Sequence, residues 1–212
     1  MIRLTENNDW VIFILLASVL VFVIVLQYLQ RQAGLREFFV QNFIDSGNIF
    51  PTWLITSSVY IVLLSTLISQ YTLIPRYIEE ISLLDLSLNK FGFTFLAISL
   101  FYFVKFMGSF FFYSSIGQDK KWGRLYFVSS KFYFAVSLLL IAGILINYYF
   151  DIDKEKFLQI IILTSLFIFI FKLLFYGFNK NYILPDEWYY KILYICTLQF
   201  APLLALWKLL FF

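Results

Sequence analysis

The chain starts polar, with Glu6, Asn7, Asn8 and Asp9, and then carries no charge from Trp10 to Gln30. A helix rises 1.5 Å per residue and a bilayer's hydrocarbon core is about 30 Å thick, so about 20 apolar residues suffice to cross it. Reading on by gaps between charges predicts six such segments, over about 10–30, 51–74, 91–114, 126–149, 157–178 and 189–212, the first two charge-free and the last four interrupted only by lysines. Asn7, Asn8 and Asp9 offer cap oxygens to the first helix, Pro51 suits the first turn of the second, and Pro75 closes it. The connectors are too short for a separate soluble domain. No strict alternation over about ten residues points to a barrel, and no repeat of 20 to 50 residues is visible. The predicted fold is therefore all-α: one transmembrane domain over 1–212, a polytopic bundle of six helices with one or two short interfacial helices. The first span is too long and too acid-flanked for a cleavable signal, so Met1 is expected to be the mature start.

Two connectors show amphipathic stripes. In LREFFVQNF, Leu35, Phe38, Phe39 and Phe43 recur at helical spacing beside Arg31 and Arg36, the pattern of a basic membrane-surface helix. In RYIEEISLLDLSLNK, Ile78, Ile81, Leu84 and Leu88 oppose Glu79, Glu80 and Asp85. Each reads as a connector covering the bundle rim, with a partner groove as the other reading.

Composition agrees with the pattern. The chain is 62% hydrophobic and 14% charged, against about 45–50% and 25% for soluble domains. Histidine is absent and there is one cysteine, which removes imidazole metal sites, His-ligated haem, His acid–base chemistry and an internal disulfide. No metal and no cofactor is expected. Six spans put both termini on one side. The other side, with connectors 31–48, 118–124 and 179–191, holds most of the lysine and arginine: Arg31, Arg36, Lys105, Lys120, Lys121, Arg124, Lys131, Lys172, Lys180 and Lys191. Cytoplasmic loops are enriched in Lys and Arg, so those connectors are expected in the cytoplasm and the termini in the periplasm.

Every Asp and Glu falls outside the drawn spans. Proton-coupled carriers need titratable acids or His at depth, and intramembrane metalloenzymes need clustered ligands. Neither class finds residues here, and no GxSxG, HExxH, Walker or GxGxxG motif anchors a catalytic reading. The protein is expected not to be an enzyme. Lys105 is the most informative polar residue, lying roughly 21 Å into its helix, past the midplane. Tyr102 and Ser109, three residues before and four after it, can accept from it. With Lys131 and Lys172 it either snorkels to lipid phosphate or faces the bundle, there to meet an anionic lipid headgroup or another subunit's acidic residue. These five residues are the candidates for lipid or partner binding. A catalytic lysine is the remaining alternative. The second span is rich in hydroxyls, among them Thr52, Thr56, Ser57, Ser58, Ser65, Thr66 and Ser69. Ser58 and Ser65 are expected at helix contacts, with hydroxyls bonding across helices. In the sixth span Tyr190, Tyr194, Thr197, Ala201, Ala205 and Lys208 share one α-helical stripe, the expected packing face. Pro202 cannot donate to the Leu198 carbonyl and predicts a bend near Gln199.

The ends of the chain, ENNDWVIFILL and YYKILYICTLQFAPLLALWKLLFF, resemble an uncharacterised family of multi-pass inner-membrane proteins of Bacteroidota, catalogued as domain of unknown function 4271. The closing motif LYxC(T/A)LxxAP reads here as Leu193, Tyr194, Cys196, Thr197, Leu198, Ala201 and Pro202. The middle of the chain matches in span number and in a lysine of the third span, here Lys105. Position 199 is Gln where Glu is expected in much of the family, which removes a buried carboxylate. The resemblance implies an inner-membrane location and no established activity. Its lineage carries envelope machines of its own, including a secretion and gliding apparatus.

The expected function is a non-enzymatic inner-membrane subunit that scaffolds or regulates a larger envelope complex, with anionic lipids and another inner-membrane protein as partners and no nucleic acid. The alternative is a carrier or flippase-like transporter of a lipid or small neutral solute, using the second span and the bend at Pro202.

Overall fold

A computed structural model describes residues 9–29, 34–41, 43, 48–72, 89–150, 153–178 and 183–211. Among them the chain is helical and contains no strand. The elements are α1 (Asp9–Ile24), running on through a π-helical turn at Val25–Leu29, then α2 (Leu35–Val40), α3 (Ile49–Ile68), α4 (Lys90–Ser115), α5 (Asp119–Tyr149), α6 (Lys154–Phe178), α7 (Trp188–Tyr194), a second π-helical stretch at Ile195–Phe200, and α8 (Ala201–Phe211). Six helical runs are long and apolar enough to cross a membrane: Asp9–Leu29, Ile49–Ile68, Lys90–Ser115, Asp119–Tyr149, Lys154–Tyr176 and Trp188–Leu210. The all-α bundle read from the sequence is the observed fold.

Two boundaries move. The second span stops at Ile68 rather than near residue 74, because the chain turns there: Tyr71 N–H donates to Ile68 O at 2.8 Å and Ser69 Oγ to Thr66 O at 3.0 Å. The fourth starts at Asp119, seven residues ahead of Tyr126. Asp119 sits in its first turn, where a carboxylate complements the helix dipole. Lys121 reaches out of the bundle to Asp186 at 2.6 Å and to Leu184 O at 3.3 Å. Between α4 and α5, Gly117 adopts φ 66°, the left-handed cap that spares a glycine the Cβ penalty.

The first amphipathic stripe contains α2, but it does not lie wholly on a surface. Phe38 is buried and packs on Phe134 with centroids 5.3 Å apart, while Leu35, Phe39 and Val40 are exposed. The second stripe, Ile78 to Leu88, lies outside the described residues, as do Asn7 and Asn8.

The closest packing is between α3 and α5, because α3 presents small side chains. Thr52, Thr56, Ser57, Ser65 and Thr66 are buried. The hydroxyls of Thr56, Ser57, Ser65 and Thr66 do not bridge helices as expected. Thr56 Oγ1 donates to Thr52 O at 2.8 Å, Ser65 Oγ to Ile61 O at 2.7 Å and Thr66 Oγ1 to Val62 O at 2.9 Å. Satisfied within its own helix, each hydroxyl behaves as a small packing group. Ser58 is exposed and bonds Leu54 O in the same way. Cross-helix polar contacts gather instead at the end of α3. There Tyr71 Oη donates to Asn147 Oδ1 and Asn147 Nδ2 to Gln70 Oε1, both at 2.7 Å.

The expected packing stripe of the sixth span is corrected. Thr197, Ala201 and Ala205 are exposed, and the inward residues are Tyr194, Gln199 and Leu210, with Pro202 and Leu206 partly covered. The cause is the π-helical stretch, in which Ala201 N–H bonds back to Cys196 O, five residues away. That wider turn adds a residue to the register, so an α-helical wheel drawn through Tyr194 fails beyond it. It also accommodates Pro202, which has no N–H to give the preceding turn.

Candidate functional site: a cavity with two lysines

Four helices and the π-stretch bring polar side chains together in the membrane-spanning half nearer residues 118 and 186. From α4 come Tyr102, Lys105 and Ser109, from α5 Tyr126, Ser129 and Tyr133, from α6 Lys172 and Tyr176, and from the last span Tyr194 and Gln199. Trp53 of α3 and Phe106 complete an apolar wall around a cavity of about 30 Å³, room for about two water molecules.

The π-stretch turns Gln199 inward, and its burial is almost complete. Lys105 Nζ donates to Gln199 Oε1 at 2.5 Å, and Gln199 Nε2 donates to Tyr194 Oη at 3.3 Å. Lys172 is also buried. Its Nζ lies over three ring faces, at 5.1 Å from the centroid of Tyr133, 5.2 Å from Phe132 and 5.6 Å from Tyr176. Ser129 Oγ and Tyr176 Oη are 2.8 Å apart beside it. The two amines are close enough to interact directly. An ammonium at depth costs at least a few kcal/mol unless solvated or paired. Ring faces, an amide oxygen and hydroxyls offset part of that cost. Every lining residue other than the two lysines is neutral.

Of the residues singled out from the sequence, Tyr102, Lys105, Ser109 and Lys172 meet in this cavity. Lys172 is packed inside the bundle, where snorkelling had been one reading. Lys131 lies elsewhere: its Nζ donates to Phe39 O at 3.0 Å and Gln41 O at 2.6 Å and sits 4.3 Å from the Phe127 centroid. It caps the end of α2 with the chain's own carbonyls. Ser65 is buried, whereas Ser58, Thr197, Ala201 and Ala205 face outward. Sequence reasoning missed the tyrosines at 126, 133 and 176, and read Tyr194 as a packing residue only. A signal existed, since Tyr176 follows Lys172 by one helical turn and Tyr102 precedes Lys105 by nearly one. Gly108 enables the approach of α4 to the last span, because a Cβ there would stand 2.6 Å from Leu198 Cδ2.

A six-span helical bundle holding two lysines among tyrosines defines a polytopic membrane protein with a lysine-lined interior cavity. The chain belongs to the domain of unknown function (DUF4271) family, whose model matches residues 9–210. The π-stretch and Pro202 fall within the closing motif that carries the resemblance. No curated protein and no solved structure matches the chain.

Proposed function

We propose that the protein is a non-enzymatic multi-pass subunit that scaffolds or regulates a larger inner-membrane complex of the Bacteroidota cell envelope. On this reading its termini are periplasmic and its partners are another inner-membrane protein and the surrounding anionic lipids. The observation that carries it is the outward-facing Thr197–Ala201–Ala205 stripe. Within a membrane, helices associate by close packing, and small residues four apart are where a second helix comes near. Among the described residues the stripe does not pack into the chain's own bundle, so it suits a helix from elsewhere. Helix α6 supports the same reading: over residues 154–176 its buried residues are Phe157, Lys172 and Tyr176, and the others face outward or are only partly covered. The carrier alternative has less support. The cavity reaches Gln199 but neither Thr56 nor Ser58, and its volume of about 30 Å³ is ion-sized.

The test is affinity capture from native membranes in mild detergent, comparing the wild type with Ala201→Leu. The exposed site tolerates a larger side chain, so the variant folds and inserts normally. The expected result is another membrane protein retained by the wild type and lost from the variant. Recovery of the lone chain with lipid, or equal partner retention by both, contradicts the proposal.

A further inference from the structure

We infer that the cavity shared by Lys105 and Lys172 is a binding site for a small inorganic monovalent anion of the chloride class. This goes beyond the subunit reading and does not depend on it.

Both amines line one partly open cavity, and each other residue lining it is neutral. Two ammonium groups at membrane depth repel each other and have each lost water, so they are both charged together only when a counter-charge sits with them. The chain places none there among its described residues. The described carboxylates, Asp9, Glu37, Asp119, Asp153, Glu155, Asp186 and Glu187, lie in helix first turns, in α2 or in connectors. Chemistry and size then define the guest. Gln199 takes one of the three Lys105 N–H donors, which leaves donors for an ion. The phenol hydroxyl of Tyr133, which also lines the cavity, supplies another donor. Space for about two waters admits a bare monatomic anion. A lipid phosphate with its ester substituents needs several times that volume.

The experiment uses the purified full chain in a neutral detergent at fixed pH and ionic strength, with chloride exchanged stepwise for gluconate. Gluconate carries the same charge but is too large to enter. The wild type is expected to melt about 5 °C higher in saturating chloride than in gluconate. Lys105→Met and Lys172→Met are expected to abolish that difference. Bromide gives a second readout, because Trp53 lines the cavity and a bound heavy halide quenches it. A saturable quenching component that Trp53→Phe removes is expected, and it decides the matter alone if either lysine variant fails to fold. Equal melting of the wild type in chloride and gluconate overturns the inference, as does a difference that survives both lysine substitutions, or purely linear quenching. If phosphatidylglycerol stabilises the protein through these lysines while chloride does not, the guest is a lipid headgroup and the small-ion site is refuted. None of these results bears on partner capture through Ala201, so the two ideas fail separately.

Discussion

Replacing Lys172 by methionine in chloride-free medium should make the protein more stable. Lys172 is 7% exposed, and its amine rests over rings at 5.1 to 5.6 Å. A desolvated contact of this kind is worth about 2 kcal/mol, and because one amine is shared by three rings, its loss costs a few kcal/mol in all. Against that stand the desolvation of a buried ammonium, still several kcal/mol after relaxation, and repulsion from Lys105, up to about 4 kcal/mol for charges in contact at an effective dielectric of 20. Methionine preserves the stem and its soft sulfur packs against the same rings. The balance favours the variant by about 1–4 kcal/mol, the range found when apolar side chains replace buried charges. At roughly 2–4 °C per kcal/mol for a chain of this length, the melting midpoint in gluconate rises by about 2–16 °C. Differential scanning fluorimetry reads this directly, and in saturating chloride the gap should narrow because only the wild type gains an ion. A variant that melts lower than the wild type in gluconate would refute the reasoning, since it would make the lysine a structural keystone that needs no external charge.

Three further substitutions probe the same physics. Gln199→Glu puts a carboxylate where the amide oxygen accepts from Lys105 at 2.5 Å; the protein then carries its own counter-charge, and its melting should no longer depend on chloride. Lys131→Met removes the donor to the Phe39 and Gln41 carbonyls, each charge-assisted bond being worth about 1.5–3 kcal/mol. Hydrogen exchange over residues 34–41 should accelerate by about tenfold or more while the global midpoint barely moves. Asn147→Leu strands the Tyr71 hydroxyl and the Gln70 amide, two contacts of 2.7 Å, and should lower stability by about 1–2 kcal/mol in thermal melts.

The fold was legible because a bilayer leaves a chain few options. Apolar stretches of about 20 residues without an acidic side chain read as spans, and five of the six begin within about three residues of where they were drawn. The exception, Asp119, could not be read by counting charges, because lysines at a helix start lean out to water while their backbone stays helical. Lys105, with Tyr102 and Ser109, was identifiable as a polar patch from one helix alone. Its meeting with Lys172 was not, because the pairing depends on how α4 and α6 are rotated, which six nearly uniformly apolar helices leave unstated. The largest error, the packing stripe of the last span, came from assuming 3.6 residues per turn through Pro202. The π-stretch at 195–200 changes that count and moves Gln199 inward and Ala201 outward. The hydroxyls of α3 mark close helix packing as expected, but they bond within their own helix, where a carbonyl is always in reach.

The claim that the last span offers its small-residue face to another protein is tested most directly by photo-cross-linking in native membranes, with a benzophenone amino acid placed at Ala201 and, as an interior control, at Val59, which is buried in the bundle. A discrete adduct with a second membrane protein from position 201, and none from position 59, is the expected outcome. Adducts to lipid alone from position 201, or the same adduct from both positions, would contradict it.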